Sequence, residues 1–365
     1  ELTYFVSGCY SMNLTLQETI NLTNAIIDNG DKLKFKDKII LDKHCIGGVA
    51  GNRTTMIVVP IIASLGYKIP KTSSRAITSA AGTADTMEVL APVTLTKNKL
   101  LKVIKKTNAC MAWGGIINLA AADDKLIKVR HPLSIDPEGM LLASILAKKK
   151  AAGATHVLID IPYGQDAKIH TKSQAKNLKK SFEKIAKHID LKIKVILTDG
   201  SEPIGYGIGP ALEASDVISV LNGDGPSDLR EKSILLATEL LKLIKVKNAK
   251  AQVINSLDTG LAYKKFVEII RAQGGTKTLK VPKAKYHEHI RATRSGKIKD
   301  IKNRPFANLA RLAGAPEDKA AGIFLRVKKG IKVEEGTELF TIYSNSLRNI
   351  DAVKKQLKET LPIIY

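Results

Sequence analysis

The sequence predicts an α/β protein that carries a β-rich unit at its C-terminal end. Two strand–loop–helix units follow each other in residues 38–90, and such a series is typical of a parallel sheet. Apolar runs rich in β-branched residues at 157–161 and 193–198 add further buried strands. From Lys280 onward, short strands and turns replace these longer elements, so we expect the β-rich unit to begin there.

Local patterns place the individual elements in chain order. Helices are predicted where apolar residues recur at helical spacing, at 1–10, 14–27, 54–65, 82–90, 229–244 and 260–273. Strands are predicted at 38–41, 157–161 and 193–198, loops at 42–52 and 72–79, and C-terminal turns at 327–330 and 334–336.

Composition limits the class of protein. With 365 residues, of which 44% are hydrophobic, the chain is long enough to bury a large core in two or three structural units. It contains no run of about 18 uninterrupted apolar residues, and its first residues lack a signal-peptide pattern. The cysteines Cys9, Cys45 and Cys110 are odd in number and lack metal-ligand spacing, so we expect neither disulfides nor a metal site. The prediction is a cytoplasmic protein without a membrane partner.

The formal net charge of +23 is compatible with binding to nucleic acid, to a membrane surface or to a small anionic substrate, because a positive potential attracts each of these negatively charged partners. Many lysines lie in stretches that are typical of solvated helix faces, at 148–150, 168–187 and 242–250. The sequence has no zinc-finger spacing, and aromatic residues make up only 5%. Nucleic-acid binding is therefore the weaker alternative, and no nucleic-acid partner is predicted.

The first candidate site is the glycine-rich loop at 42–55, Asp-Lys-His-Cys-Ile-Gly-Gly-Val-Ala-Gly-Asn-Arg-Thr-Thr. Glycines at the carboxyl end of a strand let backbone N–H groups approach an oxyanion, and the next helix presents its positive N-terminus. The loop matches neither the Walker A pattern nor the dinucleotide fingerprint, which disfavours ATP and NAD. A purely structural turn is the alternative for this loop taken alone.

The second candidate site is the loop at 72–85, which combines several hydroxyl side chains with Arg75 at another helix start. A single serine or threonine at such a place is commonly an N-cap. The density of hydroxyls beside Arg75, across from the first loop, favours binding of a phosphate shared by the two loops.

Together these residues resemble a known family. Residues 43–48, Lys-His-Cys-Ile-Gly-Gly, resemble the Lys-His-Ser-x-Gly-Gly signature of the pyrimidine nucleoside phosphorylases, and residues 73–83 resemble the second signature of that family. The similarity continues in the expected order over nearly the whole chain, through segments 130–148, 198–226 and 310–319. The main departure is Cys45, which stands where the family usually has serine and is a weaker hydrogen-bond donor to phosphate.

Segments 74–85, 113–115 and 132–137 are most similar to the AMP phosphorylases and to the bacterial relatives of thymidine phosphorylase. The resemblance implies phosphorolysis of the N-glycosidic bond of a nucleoside or nucleoside 5′-monophosphate. The products would be a free base and a (deoxy)ribose 1-phosphate or ribose 1,5-bisphosphate. Inorganic phosphate would be the co-substrate, with no other cofactor and no metal.

The resemblance also implies roles for individual residues. Phosphate would be bound by Lys43, Cys45, Thr55, Ser73 and Thr83. The base would be met by His44, Arg130, Ser144 and Lys148, with Asp136 as the proton donor. The nucleoside or nucleotide would be bound by Gly48, Ser74, Arg75, Ala76, Ile77, Thr78, Ser79, Thr83, Ser144 and Lys168. Without the resemblance, Asp136 before Pro137 is typical of a turn.

The fold implied by the resemblance is a small helical domain that faces a mixed α/β domain across a cleft. The helical domain would comprise 1–36 and 120–150, the α/β phosphate-binding domain 37–119 and 151–278, and the β-rich C-terminal domain 279–365. Closure of the cleft would bring the base contacts to the phosphate loops. The family resemblance further implies a homodimer.

Two other functions stay open at this point. Anthranilate phosphoribosyltransferase has a similar two-domain fold, but it needs magnesium held by acidic residues and a Lys-His-Gly-Asn-Arg loop, which residues 43–47 do not match. A non-enzymatic, basic nucleic-acid binder is the other alternative, and binding with a steep salt dependence in the absence of turnover would favour it.

Overall fold

A computed structural model of the chain describes residues 1–76, 79–116, 121–133, 135–359 and 361–365. The helices in these ranges are α1 Leu2–Met12, α2 Leu16–Asp28, α3 Thr54–Ser64, α4 Thr83–Glu88, α5 Lys97–Thr107, α6 Ala121–Leu133, α7 Glu138–Ala151, α8 Lys172–His188, α9 Pro210–Asn222, α10 Ser227–Leu243, α11 Ala249–Asp258, α12 Leu261–Gln273, α13 Asn303–Leu312 and α14 Leu347–Glu359. The strands are β1 Leu41–Cys45, β2 Ile69–Ser73, β3 Ala109–Trp113, β4 His156–Tyr163, β5 Lys192–Asp199, β6 Gly207–Ile208, β7 Tyr286–Arg291, β8 Gly296–Lys297, β9 Asp300–Ile301, β10 Gly322–Leu325, β11 Lys332–Val333, β12 Glu338–Ser344 and β13 Ile363–Ile364.

Parallel strands form the centre of the fold. Strands β1, β4 and β5 pair in parallel, and so do β2 and β3. A parallel bridge between Ile40 and Lys68 joins the two groups, which gives the order β3-β2-β1-β4-β5. The predicted α/β class with a parallel sheet is confirmed. Since the carboxyl ends of parallel strands lie at one edge, the loops after β1 and β2 meet there.

Helix α3 forms the centre of the core on one face of the sheet. Ten of its eleven residues, 54–63, are buried, and they pack in one apolar cluster with residues of α9, α10 and α12. A helix that is apolar on all faces is buried on all sides and appears in the sequence as one continuous apolar run. The ends of that run predicted the bounds of α3 to within one residue. On the other face, α2, α7 and α8 pack against β4 and β5.

Strand β1 begins where the sequence predicts its end. The prediction was 38–41, whereas the strand runs over Leu41–Cys45. Asp42 and Lys43 are polar and yet almost completely buried. Asp42 is paired with lysines and Lys43 is hydrogen-bonded to threonines inside the protein, so the strand has no apolar signature in the sequence. The first part of the predicted loop is therefore strand.

The C-terminal unit is β-rich, as predicted. Strands β6, β10, β12 and β7 form an antiparallel sheet in that order, and α13 and α14 share an apolar cluster with it. Strand β6 comes from residues 207–208, far earlier in the chain. One strand of the C-terminal sheet therefore comes from outside the predicted C-terminal domain, 279–365.

The division into three domains at the predicted boundaries stays a prediction. One apolar cluster contains residues of α2 and α7 together with residues of β4 and α8, so the predicted helical and α/β domains share a core. A smaller cluster joins α1 to α6 and α7. In the part of the chain that the structure describes, no helix is both long and apolar enough to cross a bilayer.

Candidate active site

The first loop connects β1 to α3 and has three glycines in the left-handed region, Gly47, Gly48 and Gly51. Gly47 has φ of 93° and Gly48 has φ of 87°. A Cβ atom on Gly48 would clash with the backbone nitrogen of Lys168. The loop therefore packs backbone against backbone on the segment that follows β4, a contact that only glycine permits at this position.

Lys43 lies beneath this loop and is 1% exposed. Its Nζ donates to Thr54 Oγ1 at 2.9 Å and to Thr55 Oγ1 at 3.3 Å, in the first turn of α3. Thr54 in turn donates its own proton to Asn52, at 3.1 Å. The Thr55 hydroxyl accepts from the ammonium group, so its proton is free to be donated to an anion at the helix N-terminus.

Further buried lysines surround Asp42, which is fully buried. Asp42 lies 3.3 Å from Lys71 Nζ and 2.8 Å from Lys149 Nζ, and Lys71 also donates to the carbonyl of Lys43 at 2.7 Å. Burial lowers the pKa of Lys71 to about 7, against the opposing effect of Asp42. Burial opposes ionisation of Asp42, but Lys149 and Lys71 hold its pKa below the usual value. Burial lowers the pKa of Lys43 as well, against the opposing effects of Cys45 and the buried Asp160.

His44 is partly buried at the end of β1. Burial lowers the pKa of its imidazole well below the usual 6.5, and the charges of Lys149 and Lys71 act in the same direction. The imidazole is therefore neutral near pH 7 and can donate one N–H. Burial also raises the pKa of the neighbouring Cys45 thiol, whose Sγ accepts from Asn52 Nδ2 at 3.4 Å. Cys45 is thus a thiol in this site, not a thiolate.

The second loop is closed by Asp85 of α4. Asp85 Oδ2 accepts from the backbone N–H groups of Ala76, at 2.6 Å, and Gly82, at 2.9 Å. Ser74 and Ser79 are exposed, and Ser79 Oγ donates to the carbonyl of Ala81 at 3.0 Å. The predicted nucleotide-binding residues Ile77 and Thr78 lie outside the described residues.

Arg75 does not present a free guanidinium to this loop. It donates to Glu88 at 2.7 and 2.5 Å and to Asp85 at 3.1 Å, and it lies over the Trp113 ring at 5.1 Å. Lys319, from the C-terminal unit, lies 3.1 Å from the same Glu88. The predicted anion contact of Arg75 stays a prediction, and in this structure its charge is paired with carboxylates.

Arg53 joins the two loops. It donates from the first loop to Thr83 Oγ1 at 3.2 Å and to the carbonyl of Ala81 at 2.8 Å, and it pairs with the buried carboxylate of Glu213. Burial raises the pKa of Glu213, although Arg53 opposes the shift. Thr83 accepts from Arg53, so its own proton is left for another acceptor. Nearby, Ser73 Oγ is buried and, within the described part of the chain, has no hydrogen-bond partner.

Three of the four residues predicted to contact the base, Arg130, Ser144 and Lys148, are gathered around Asp123, which the sequence patterns did not indicate. Asp123 accepts from Ser144 Oγ at 2.7 Å and lies 2.6 Å from Lys148 Nζ and 3.6 Å from Arg130. Asp123 precedes Arg130 by seven residues on α6, two helical turns, so helical spacing is a signal that relates the two.

Asp136 lies between α6 and α7 and meets two cations. Its Oδ1 accepts from Arg130 at 2.8 Å, and its Oδ2 accepts from Lys168 Nζ at 2.5 Å. The structure thus brings three predicted site residues together: Asp136, the predicted proton donor, contacts Arg130, a predicted base contact, and Lys168, a predicted nucleotide contact. Each carboxylate oxygen accepts one hydrogen bond from a cation and keeps a second lone pair, at which a proton could be held.

A second residue that sequence reasoning missed is Asn303, at the start of α13. It is buried, its Oδ1 accepts from the N–H of Ala50 at 3.0 Å, and its Nδ2 donates to the carbonyl of Gly200 at 3.0 Å. The C-terminal unit thereby supports the first loop. Within the described residues, no group of three or more His, Cys, Asp or Glu side chains is arranged to hold a metal ion.

Two protein families match this chain. The family described as "Glycosyl transferase family, a/b domain" matches residues 37–263. The family described as "Pyrimidine nucleoside phosphorylase C-terminal domain" matches residues 297–364. The first match contains both anion loops, and the second contains most of the β-rich unit.

Curated relatives are similar over the whole chain. A Legionella pneumophila protein named "Putative thymidine phosphorylase" is 47% identical over 369 residues, covering 100% of this chain and 71% of the relative. The AMP phosphorylase of Thermofilum pendens is 44% identical over 367 residues, with the same coverage. The AMP phosphorylase of Natronomonas pharaonis is 41% identical, covering 97% of this chain and 72% of the relative.

Solved structures with a similar fold include anthranilate phosphoribosyltransferases. The Thermus thermophilus enzyme has a TM-score of 0.58 at 15% identity, covering 74% of this chain and 94% of its own. The Saccharomyces cerevisiae enzyme, in complex with PRPP and Mg, has a TM-score of 0.58 at 16% identity, covering 74% of this chain and 84% of its own. At this identity the similarity shows a shared fold and nothing about the reaction.

Proposed function

Because the chain belongs to the thymidine phosphorylase and AMP phosphorylase family, we propose that it cleaves the N-glycosidic bond of a nucleoside or nucleoside 5′-monophosphate with inorganic phosphate. The products are a free base and a (deoxy)ribose 1-phosphate or ribose 1,5-bisphosphate. No cofactor besides phosphate is needed for this exchange of groups at the anomeric carbon.

The observation that carries the proposal is the joining of the two loops into one anion site. Arg53 reaches from the first loop to Thr83 and Ala81 of the second. Lys43 supplies a buried positive charge below them. A site that combines buried lysine side chains with helix N-termini is stabilised by an anion such as phosphate.

At the phosphate end, the groups proposed to bind the attacking anion each have a free donor. The Thr55 and Thr83 hydroxyls already accept from cations, so their protons are available to phosphate. Ser73 Oγ has no hydrogen-bond partner among the residues that the structure describes. Lys43 compensates the charge of phosphate as it moves toward the sugar, whose anomeric carbon becomes cationic in the transition state.

At the base end, negative charge develops on the leaving base. Arg130 and Lys148 are proposed to stabilise that charge, and the neutral imidazole of His44 would donate a hydrogen bond to it. A purine needs a proton more than thymine does when it leaves, and Asp136 is the proposed acid. Its contact with Lys168 would place it against the nucleotide.

A homodimer is the proposed assembly. Apolar side chains of α1 are exposed, among them Tyr4 and Met12, each 83% exposed. A second copy would remove these side chains from water, since a symmetric dimer buries the same surface on both subunits. Sedimentation equilibrium of the protein tests this assembly, and a monomer at micromolar concentration would contradict it.

The reaction itself is tested by incubating the folded protein with phosphate and thymidine, uridine, AMP, CMP or UMP, and by measuring free base. We expect release from at least one substrate that depends on phosphate. A parallel incubation with anthranilate and phosphoribosyl pyrophosphate tests the alternative enzyme. Absence of base release from every substrate by a folded protein would contradict the proposal.

A further inference from the structure

A buried ion pair of Asp160 and Lys232 lies beneath the first loop. Asp160, on β4, is fully buried, and its Oδ2 lies 3.6 Å from Nζ of Lys232, on α10. The other oxygen, Oδ1, accepts from Thr198 Oγ1 at 2.6 Å. Within the described part of the chain, neither Asp160 Oδ2 nor Lys232 Nζ has a hydrogen-bond partner. The two groups therefore meet as opposite charges and not as donor and acceptor.

The strand register places Asp160 on the same face of the sheet as two of the proposed phosphate ligands. Asp160 is the partner of Cys45 in the parallel pairing of β1 with β4, and its carbonyl accepts from the N–H of Ile46 at 3.0 Å. Paired residues point to one face of a sheet, and Lys43 shares that face because it precedes Cys45 by two residues. The carboxylate therefore lies below the loop that is proposed to hold phosphate.

Helix α10 brings Lys232 to this face. Leu229 and Leu236, which are buried, lie three residues before it and four residues after it, so Lys232 belongs to the stripe of α10 that packs into the core. Its side chain is only 9% exposed. A lysine is rarely buried without a partner, because its charge loses its hydration. The charge of Lys232 is compensated here by Asp160.

Both members of the pair act electrostatically on Lys43. Burial has the largest effect on the pKa of Lys43 and lowers it, whereas Asp160 raises this pKa and Lys232 lowers it. The hydrogen bonds that the structure describes for Lys43 Nζ nevertheless go to Thr54 and Thr55. The ammonium group is thus directed at the N-terminus of α3, although a buried carboxylate lies within electrostatic reach.

An uncompensated carboxylate at position 160 would weaken phosphate binding in two ways. It would repel the anion, because like charges interact strongly in a buried site. It would also attract the ammonium group of Lys43 and draw it away from the two threonines. Lys232 suppresses both effects, since the pair of Asp160 and Lys232 has no net charge.

We propose that Lys232 is a positioning residue for phosphate, which neutralises the buried carboxylate of Asp160 and thereby keeps Lys43 directed at the anion. Lys232 touches neither phosphate nor nucleoside in this proposal and acts through Asp160 and Lys43. The inference rests on the proposed function, since it concerns the anion site of the same reaction.

The test removes the two charges singly and together. Isothermal calorimetry with inorganic phosphate measures the Kd without turnover, and the KM for phosphate follows catalysis. Lys232→Met should raise both constants by at least about tenfold, because it leaves Asp160 negative below the anion. Asp160→Asn can still accept from Thr198, and it should leave both constants unchanged or lower them. The double variant should return to within about threefold of wild type.

Recovery in the double variant separates charge compensation from a structural role. If Lys232 only filled space, the double variant would bind phosphate no better than Lys232→Met. Lys242→Met is the matched control, because Lys242 lies on the same helix, is 55% exposed and pairs with Glu239 at 2.9 Å. Neither constant should change in this control. If Lys232→Met does not fold, Asp160→Asn and the double variant still test the proposal against wild type.

The outcomes separate this inference from the function it rests on. Unchanged constants in a folded Lys232→Met, or a double variant as weak as this single variant, would overturn the role of Lys232 and leave the phosphorylase intact. A Kd for phosphate that rises about tenfold in Asp160→Asn would do the same. A wild-type protein that binds phosphate but releases no base would overturn the proposed function alone. One that neither binds phosphate nor releases a base would overturn both proposals.

Discussion

Lys168 Nζ lies 2.5 Å from Asp136 Oδ2, and this ion pair joins the loop after β4 to the segment between α6 and α7. Arg130 holds the other oxygen of the same carboxylate at 2.8 Å. The loop that carries Lys168 also packs on the backbone of Gly48. The proposed acid is thereby linked directly to the phosphate side of the site.

Asp136→Asn should reduce turnover of AMP much more than turnover of thymidine. An amide cannot donate a carboxylic proton, and adenine needs that proton more than thymine does when it leaves. General-acid catalysis contributes about 10²- to 10⁴-fold, so we expect a loss of this order in kcat for AMP. Steady-state kinetics with both substrates measure the ratio. An equal loss of kcat for AMP and for thymidine would show that Asp136 only positions the substrate and does not donate the proton.

Lys43→Met should lower kcat/KM by about a hundredfold or more, because the variant loses the charge that meets the attacking phosphate. The free energy of unfolding should change by less than about 1.5 kcal/mol, since methionine fills the buried volume without a charge that needs a partner. The exposed Lys34→Met is the control. An unchanged rate with phosphate would show that the first loop has only a structural role.

Cys45→Ser should lower the KM for phosphate several-fold. A hydroxyl is a better donor than a thiol, and one hydrogen bond to a charged group contributes about 1.5–3 kcal/mol. Asn52 already donates to Sγ, so the proton of a serine would be free for the anion. Kinetics with varied phosphate test this, with Cys9→Ser as the control. A KM that stays the same or rises means that side chain 45 does not touch phosphate.

The imidazole of His44 should remain neutral at and below neutral pH. Its folded pKa lies well below 6.5, mainly because it is buried. As pH falls below about 6.5, the unfolded chain binds a proton first, so the stability contributed by neutral His44 is complete above that pH and is lost below it. Denaturant unfolding of wild type and His44→Gln should show a difference that shrinks on acidification. NMR titration of His44 near pH 6.5 would contradict the assignment.

Arg53→Ala should destabilise the protein by about 3–5 kcal/mol, because it leaves the buried carboxylate of Glu213 without its partner. The KM for phosphate should rise as well, since Arg53 connects the two loops. Urea unfolding of Arg53→Ala, Glu213→Gln and the double variant measures the interaction free energy between the two side chains. Simple additivity of the two single effects would show that the pair is not a unit.

Local patterns in the sequence predicted the elements whose burial is apolar. The ends of helix α3 and of strands β4 and β5 were predicted to within one or two residues. An apolar run of that length must be buried, and its ends therefore mark the ends of the element. Strand β1 was misplaced because two of its polar residues are buried: Asp42 pairs with the distant Lys149, and Lys43 donates to Thr54 of the next helix. Nothing local in the sequence marks such pairing.

The same distinction applies to the site. The described residues named from the resemblance lie on the two loops, around Asp123 and around Asp136, whereas Asp123 itself, Glu213 and Asn303 were not anticipated. Each of these three acts through contacts with residues far away in sequence, and an isolated Asp, Glu or Asn in a helix gives no sign of a tertiary partner. Only the seven-residue spacing of Asp123 and Arg130 offered a clue.

The contact between Asn303 and Ala50 has a consequence for the synthesis of the protein. The amide that holds the first loop lies 253 residues further along the chain. At about 5–20 residues per second, a ribosome needs roughly 10–50 s to synthesise that interval. For most of this time, once residue 85 has been added, the emerging chain contains both anion loops but lacks the amide that holds one of them. The site is therefore completed late in translation, and a nascent chain that ends before Asn303 lacks this hydrogen bond to its first loop.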